Sequence, residues 1–168
     1  MIFFKEGEAA VCVAKYFEIP EKEIERVTSS FKGVPYRQEL ITEKNGVKYI
    51  NDTAATTPQS VILAIKKFKN AILIAGGQDK NLNYERLKKV IRKNVKHLIL
   101  LPGTATDKLK PGLRYESVES MKEAVQKAKK LAKNGDIVLL SPGAASFNLF
   151  KNEFDRGDQF NKYVKEDF

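Results

Sequence analysis

A doubly wound α/β domain with a mostly parallel sheet is the fold class that the sequence predicts. Residues 71–75 and 137–140 are short, unbroken apolar runs, which are typical of strands covered by helices on both faces. Segments with helical spacing of apolar residues lie between such runs, and this alternation favours parallel strands joined by crossover helices. Asn45-Gly46 separates two alternating apolar segments and predicts a tight hairpin, because both residues tolerate positive φ.

A short helical segment is predicted in front of this domain. Apolar residues at helical spacing predict a helix over residues 6–17, and Pro20 is expected to open a second short helix. Residues 31–37 contain glycine and proline and are predicted to be a linker, where we expect proteases to cut. We therefore divide the chain into a helical segment, residues 1–33, and a main domain, residues 34–168.

The main domain is predicted from helical and strand-like periodicity, element by element. The helix that starts at Pro58 illustrates the basis, because Val61, Ile65 and Phe68 share one apolar stripe. In chain order we predict strands at 39–42 and 47–50, a helix at 58–68, a strand at 71–75, a helix at 84–93, a strand at 96–101, a short helix at 104–110, an edge strand at 113–115, a long helix at 117–133 capped by Ser117, a strand at 137–140, and helix to the end.

Composition and charge exclude several classes of function. One cysteine, Cys12, and one histidine, His97, exclude a disulfide framework and a Cys/His metal cluster, so we expect no metal ligands. The net charge of +9 is spread along helices without interleaved aromatic residues, which favours solvated helix faces over a nucleic-acid groove. No apolar run approaches the roughly 20 residues that span a membrane. We therefore expect a cytoplasmic protein that binds neither nucleic acid nor membrane.

Loops rich in small and hydroxyl-bearing residues follow four of the predicted strands. They are residues 51–57, 76–80, 102–104 and 141–146. Because the carboxyl ends of parallel strands meet at one edge of a sheet, we expect these loops to line one ligand crevice. Their backbone N–H groups suit a carboxylate or a phosphate. The residues alone therefore indicate an anion-binding α/β domain.

Several of these residues also have a purely structural interpretation. Asp52-Thr53, Thr56 and Ser146 could cap helices, and Lys80 could be an ordinary surface lysine. Gly76-Gly77 could be the tight turn that such a fold requires. The sequence contains no Gly-x-x-x-x-Gly-Lys-Ser/Thr run, so we expect no P-loop in this chain.

Five separated motifs resemble the Mur ligase family, in the order found there. They are residues 31–37, 44–47, 51–53, 75–80 and 139–160. The resemblance covers roughly residues 6–165 and implies a Rossmann-like C-terminal domain. It also implies that residues 1–33 are the last helices of a central ATPase domain.

The resemblance is strongest to the members that add D-glutamate to UDP-N-acetylmuramoyl-L-alanine in peptidoglycan synthesis. It implies an ATP- and Mg²⁺-dependent amide ligase in which the D-glutamate amine attacks an acyl phosphate. The C-terminal domain would carry the amino acid to that acyl phosphate. We expect the UDP-binding and ATPase domains, which hold the P-loop and the Mg²⁺ ligands, to be missing partners, and the chain alone to be inactive. The alternative is a truncated, non-catalytic anion-binding or interaction module derived from such a ligase.

The resemblance also implies two sets of site residues. The D-glutamate set is Lys80, Thr56, Ser146 and the backbone of Phe147, with Lys80 paired to a carboxylate. The nucleotide set is Asp52, at the ribose, and Arg37, near the ribose or phosphates. Four positions, Tyr36, Ala54, Thr57 and Glu153, depart from the residues usual in the family. Ala54 stands where a lysine is usual, which removes a cation near the γ-phosphate or substrate.

Overall fold

Two compact units make up the chain, with their boundary between Gly33 and Val34. The computed structural model describes residues 8–110 and 112–166. In the first unit, α1 (Glu8–Tyr16) and α2 (Glu21–Ser30) form the two predicted helices. Pro20 precedes α2 as its N-cap residue. The predicted start of the first helix, at residue 6, lies outside the described residues.

A six-stranded sheet is the centre of the second unit. Its strands are β1 (Glu39–Lys44), β2 (Val47–Asn51), β3 (Ala71–Gly76), β4 (Val95–Leu101), β5 (Glu116–Ser117) and β6 (Ile137–Leu140). Their spatial order is β1-β2-β6-β3-β4-β5. β1 and β2 are antiparallel and every other neighbouring pair is parallel. The predicted mostly parallel sheet with one hairpin is confirmed.

Helices cover both faces of this sheet. They are α3 (Pro58–Lys67), α4 (Glu85–Asn94), α5 (Thr104–Leu109), α6 (Met121–Leu131) and α7 (Glu153–Lys165). Successive residues of the central strand β3 point to opposite faces. Leu73 is buried in the core cluster that contains residues of α3 and α4, whereas Ile74 is buried with residues of α6 and α7. The doubly wound arrangement is therefore confirmed. Among the described residues, no helix is long and apolar enough to cross a membrane.

The hairpin between β1 and β2 has the turn that its sequence predicts. Asn45 and Gly46 have φ values of 53° and 71°, the left-handed pair that a two-residue turn of this type requires. The register places Lys44 opposite Val47.

The predictions between β4 and α6 are wrong in position. The edge strand predicted at residues 113–115 lies at Glu116–Ser117, and the helix predicted from Ser117 begins at Met121. Ser117 cannot cap this helix because it is paired with β4 in the sheet. Ser120 caps it instead, with its hydroxyl accepting a hydrogen bond from the Glu123 amide at 3.2 Å.

Candidate functional site

The carboxyl ends of β2, β6 and β3 lie side by side at one edge of the sheet. The β2 loop (residues 52–57), the β6 loop (residues 141–152) and the β3 loop (residues 77–84) begin there. Backbone hydrogen bonds join them, from the Gly143 amide to the Ala55 carbonyl at 2.8 Å and between Gln78 and Ala145 in both directions at 2.9 Å. The loops that are predicted to share one edge of the sheet are therefore in direct contact with one another there.

Gly77 allows the β3 and β6 loops to approach this closely. Its φ is 132°, a backbone conformation that residues with a Cβ rarely adopt. A Cβ at this position would also overlap the carbonyl oxygen of Ala145. The turn interpretation of this glycine is correct, and the turn is what brings the two loops together.

Lys80 and Thr56 meet across two of these loops. The exposed Lys80 ammonium donates to the Thr56 hydroxyl, with Nζ and Oγ1 3.4 Å apart. The preceding residue, Asp79, holds the β3 loop in place, because its amide donates to the Thr104 hydroxyl at 2.9 Å. The Asp79 carboxylate pairs with Lys108, and this contact holds the pKa of Asp79 below its ordinary value. The structure thus brings together two members of the predicted D-glutamate set.

Ser146 and Phe147 follow directly after the Gln78–Ala145 pair. Ser146 is only 2% exposed, and its hydroxyl forms no hydrogen bond with another described residue. Phe147 has 69% of its surface exposed. Among the described residues no buried side-chain oxygen or nitrogen lacks a hydrogen-bond partner, so the Ser146 hydroxyl is not sealed from the surface and can donate to a ligand.

The helix-capping alternatives for the candidate residues are wrong. Thr57 caps α3, with its hydroxyl accepting from the Ser60 amide at 3.3 Å, so neither Asp52-Thr53 nor Thr56 has this role. Asn152 caps α7, because α7 begins six residues beyond Phe147 at Glu153. Neither α3 nor α7 is therefore capped by Asp52, Thr56 or Ser146.

Asp52 and Arg37, the predicted nucleotide set, lie close together in the fold. Asp52 is buried, and its carboxylate accepts from the Gln38 amide at 3.2 Å and from the Ser141 hydroxyl at 2.8 Å. The first of these bonds holds the backbone next to Arg37, whose side chain is exposed. Asp52 therefore links the segment that carries Arg37 to the ends of β2 and β6.

Tyr36 fixes the same segment from the other side. It has a φ of 62°, its hydroxyl donates to Asp158 of α7 at 2.7 Å, and its ring contacts Phe154 edge-on. The hydrogen bond to Asp158 raises the pKa of Tyr36 above its ordinary value. Tyr36 thus attaches residues 36–38 to α7.

Arg156 has no role predicted from the sequence, yet it lies among these loops. It is fully buried, and its guanidinium donates to Thr53 and Ala144, which belong to the β2 and β6 loops. One signal could have indicated an inward position: Phe160 and Val164 follow at one and two helical turns, and both are fully buried. A charged residue on the buried face of a helix indicates that its side chain forms hydrogen bonds inside the protein.

No metal ligand is assigned to the chain. Within residues 8–110 and 112–166, no group of three or more His, Cys, Asp or Glu side chains is placed to hold a metal ion.

Comparison with known families identifies the family of the chain. The family model for "Mur ligase, glutamate ligase domain" matches residues 36–143. The chain belongs to the Mur ligase family. This Mur ligase chain is 43% identical over 166 residues to the UDP-N-acetylmuramoylalanine--D-glutamate ligase of Roseiflexus sp. (strain RS-1). The match covers 94% of the chain and 36% of that relative, so the chain spans about a third of the relative's length.

Solved structures share the fold of this Mur ligase chain at low sequence identity. The MurF ligase of Thermotoga maritima in complex with ADP has a TM-score of 0.65 and 18% identity, covering 94% of the chain and 37% of that protein. The bifunctional folylpolyglutamate synthase/dihydrofolate synthase of Yersinia pestis, complexed with AMPPNP and Mn, has a TM-score of 0.64 and 16% identity, covering 80% and 35%. These matches confirm the predicted fold class.

Proposed function

We propose that this chain provides the amino-acid-binding domain of an ATP-dependent ligase that joins D-glutamate to UDP-N-acetylmuramoyl-L-alanine. The observation that carries the proposal is the meeting of the Lys80 ammonium and the Thr56 hydroxyl at the crevice, 3.4 Å apart. The 43% identity to a D-glutamate ligase over nearly the whole chain supports this choice of amino acid.

The chemistry of this crevice suits a dicarboxylic amino acid. Lys80 supplies a positive charge for one carboxylate, and the hydroxyls of Thr56 and Ser146 and the backbone amide of Phe147 supply further donors. A hydrogen bond to a charged group contributes about 1.5–3 kcal/mol. Because these groups engage carboxylates, the amine of D-glutamate stays free to act as the nucleophile. Holding that amine against an activated acyl group is the contribution of proximity to catalysis.

We assign the nucleotide contact to Arg37 and Asp52. Arg37 is exposed beside a backbone segment that Asp52 holds, and its guanidinium can reach phosphate or ribose oxygens. We assign the ribose contact to Asp52, whose carboxylate accepts from the Gln38 amide and the Ser141 hydroxyl and so lies at the ends of β2 and β6 beside the Arg37 segment. Tyr36 contributes by fixing the segment.

The remaining parts of the reaction belong to partners in this proposal. Relatives extend well beyond the matched region, so we assign the UDP-sugar, the P-loop and the Mg²⁺ ligands to ligase domains that act together with this chain. ATP and Mg²⁺ would supply the phosphoryl group that activates the UDP-N-acetylmuramoyl-L-alanine carboxyl. Residues 1–33 would be the end of the ATPase domain and residues 34–168 the C-terminal domain. The reaction would take place in the cytoplasm.

Phosphate release tests the proposal. The chain is assayed with ATP, UDP-N-acetylmuramoyl-L-alanine and D-glutamate, alone and with the UDP-binding and ATPase domains of a D-glutamate ligase added in trans. We expect D-glutamate-dependent phosphate release only with the added domains. A folded chain that neither supports release nor binds D-glutamate in titration calorimetry would favour the non-catalytic module. Release by the chain alone would contradict the division of labour proposed here.

A further inference from the structure

We propose that Arg156 is a positioning residue, whose buried guanidinium fixes the β2 and β6 loops at the separation that an amino-acid carboxylate requires. The inference rests on the proposed function, because the two loops carry Thr56 and Ser146. It concerns a residue outside both sets of predicted site residues.

The guanidinium of Arg156 joins the two loops directly. Its Nε donates to the Thr53 hydroxyl and its Nη2 to the Thr53 carbonyl, both at 2.9 Å, while Nη1 donates to the Ala144 carbonyl at 3.0 Å. Thr53 precedes Thr56 by three residues, and Ala144 precedes Ser146 by two. Because the donors of a guanidinium are fixed in one plane, a shift of one loop relative to the other breaks at least one of these bonds.

The surroundings of Arg156 hold the guanidinium in place. Among the described residues, no Asp or Glu forms an ion pair with it; Glu153 only opposes the effect of burial, which lowers the pKa of Arg156 to about 10. A buried charge costs free energy that an apolar side chain of similar size would avoid. The three hydrogen bonds to Thr53 and Ala144 offset part of this cost, and an apolar side chain could not form them.

The start of α7 is pressed against the β2 loop, so the arginine cannot move away with its helix. A Cβ at Gly157 would lie 2.7 Å from both the Thr53 methyl group and the Tyr36 ring. The Asn51 amide also donates to the Gly157 carbonyl at 3.1 Å. Arg156 is fully buried, so its guanidinium is not exposed at the surface. Its effect on a ligand is exerted through Thr53 and Ala144.

Arg156→Lys tests the proposal, because the variant keeps the positive charge but loses the planar guanidinium group with its fixed set of donors. Val164→Ala is the control: Val164 is also fully buried on α7, two turns further from the loops. We expect both variants to lower the free energy of unfolding, but only Arg156→Lys to raise the Kd for D-glutamate tenfold or more where both are fully folded. Wild-type affinity in folded Arg156→Lys would overturn the proposal.

A second pair of variants serves if Arg156→Lys does not fold, and a second measurement serves if D-glutamate binding cannot be detected. If Arg156→Lys does not fold, Thr53→Val removes the hydroxyl that accepts from Arg156 and donates to the Glu153 carbonyl, both at 2.9 Å, and Thr53→Ser retains it. Only the valine variant should then weaken D-glutamate binding. If the wild type neither supports phosphate release with the added domains nor binds D-glutamate, the proposed function fails, and amide exchange then decides for Arg156. The amides of Gly143 and Ala145 should exchange at least tenfold faster in Arg156→Lys than in Val164→Ala; equal rates would overturn the positioning role.

Discussion

Gln78 and Ala145 exchange two backbone hydrogen bonds, each 2.9 Å long, between the β3 and β6 loops. Lys80 and Ser146 follow these two residues closely in the chain. Main-chain geometry therefore sets the separation of the backbone positions from which the two candidate ligand-binding side chains project. A site held in this way loses little conformational freedom when a ligand binds, which favours affinity.

Gly77→Ala is expected to destabilise the protein and to disturb the contact between these loops. Strain in a backbone conformation of this kind costs on the order of 1–3 kcal/mol, and the overlap with the Ala145 carbonyl adds to it. Gly135→Ala is the control, because Gly135 also has a positive φ of 89° but has open space around its Cβ position. Urea denaturation should show the larger loss for Gly77→Ala. Equal losses of unfolding free energy in the two variants would show that the close approach of the Gly77 position to Ala145 does not contribute to stability.

Lys80→Ala is expected to weaken D-glutamate binding about tenfold or more. The loss of one charge-assisted hydrogen bond corresponds to about 1.5–3 kcal/mol, and about 1.4 kcal/mol is a factor of ten in Kd. Lys66→Ala is the matched control, because Lys66 is an exposed lysine in the last turn of α3, at the end away from the crevice. Titration calorimetry measures both variants. An unchanged Kd for Lys80→Ala would remove this lysine from the site.

The neighbouring residues Thr56 and Thr57 should respond differently to the same substitution. Thr57→Ala removes the N-cap of α3 and should lower the free energy of unfolding by about 1 kcal/mol. Thr56→Ala should change stability less but weaken D-glutamate binding, because its hydroxyl faces Lys80. Denaturation and calorimetry on both variants separate the two roles. The assignment fails if Thr57→Ala alone weakens binding.

The ion pair between Asp136 and Lys96 should contribute stability that depends on pH. Lys96 donates to both carboxylate oxygens, at 2.8 and 2.6 Å, and together with the Lys133 amide lowers the pKa of Asp136. A lowered pKa in the folded state stabilises the protein above the unfolded pKa, and this stability is lost as the pH falls through the folded pKa. Asp136→Asn should therefore cost about 1 kcal/mol or less at pH 7, and the difference should shrink towards pH 3.

A double-mutant cycle checks the source of this pH dependence. Lys96→Met and the double variant are compared with Asp136→Asn by urea denaturation at several pH values. If the pair is responsible, Lys96→Met abolishes most of the effect of Asp136→Asn at neutral pH. A full effect of Asp136→Asn in the absence of Lys96 would assign the stability to the Lys133 amide instead.

Trypsin is expected to cut after Lys32 before it cuts after Arg37. Lys32 is exposed and lies outside the helices, two residues beyond the end of α2. The backbone around Arg37 is held by its own amide, which donates to the Val34 carbonyl at 3.2 Å, and by the Gln38 amide on Asp52. Sequencing the first fragments gives the order of cleavage. Lys32→Gln should delay the first cut, and early cleavage after Arg37 in the wild type would contradict the held segment.

The sequence predicts those parts of this protein whose signals are local. The hairpin at Asn45-Gly46 and the strand Ile137–Leu140 depend on turn chemistry and on short apolar runs, and both are found as predicted. The loops that meet at the crevice can be predicted from the strand positions alone, because the carboxyl ends of parallel strands lie at one edge of the sheet. The predicted position of β5 is wrong because an edge strand of two residues is too short to show the alternation of apolar and polar residues that locates a strand.

The connections between distant segments could not be predicted in the same way. Tyr36 and Asp158 are separated by 122 positions in the chain, and their contact depends on how α7 lies on the sheet. Arg156 lies among polar neighbours in sequence, so its burial is visible only through the stripe that it shares with Phe160 and Val164. Caps are similarly ambiguous where hydroxyl residues cluster, as in residues 52–57.

The loops at the crevice are joined mainly through amide and carbonyl groups, which every amino acid except proline provides. Substitutions at the side chains that face the ligand would therefore leave those joints intact. Such a crevice can acquire a new preference among amino acids by exchanging a few side chains at positions such as 56, 80 and 146, without rebuilding the sheet beneath. At those three positions selectivity would thus be largely separate from folding, whereas at a buried position such as Arg156 the two would change together.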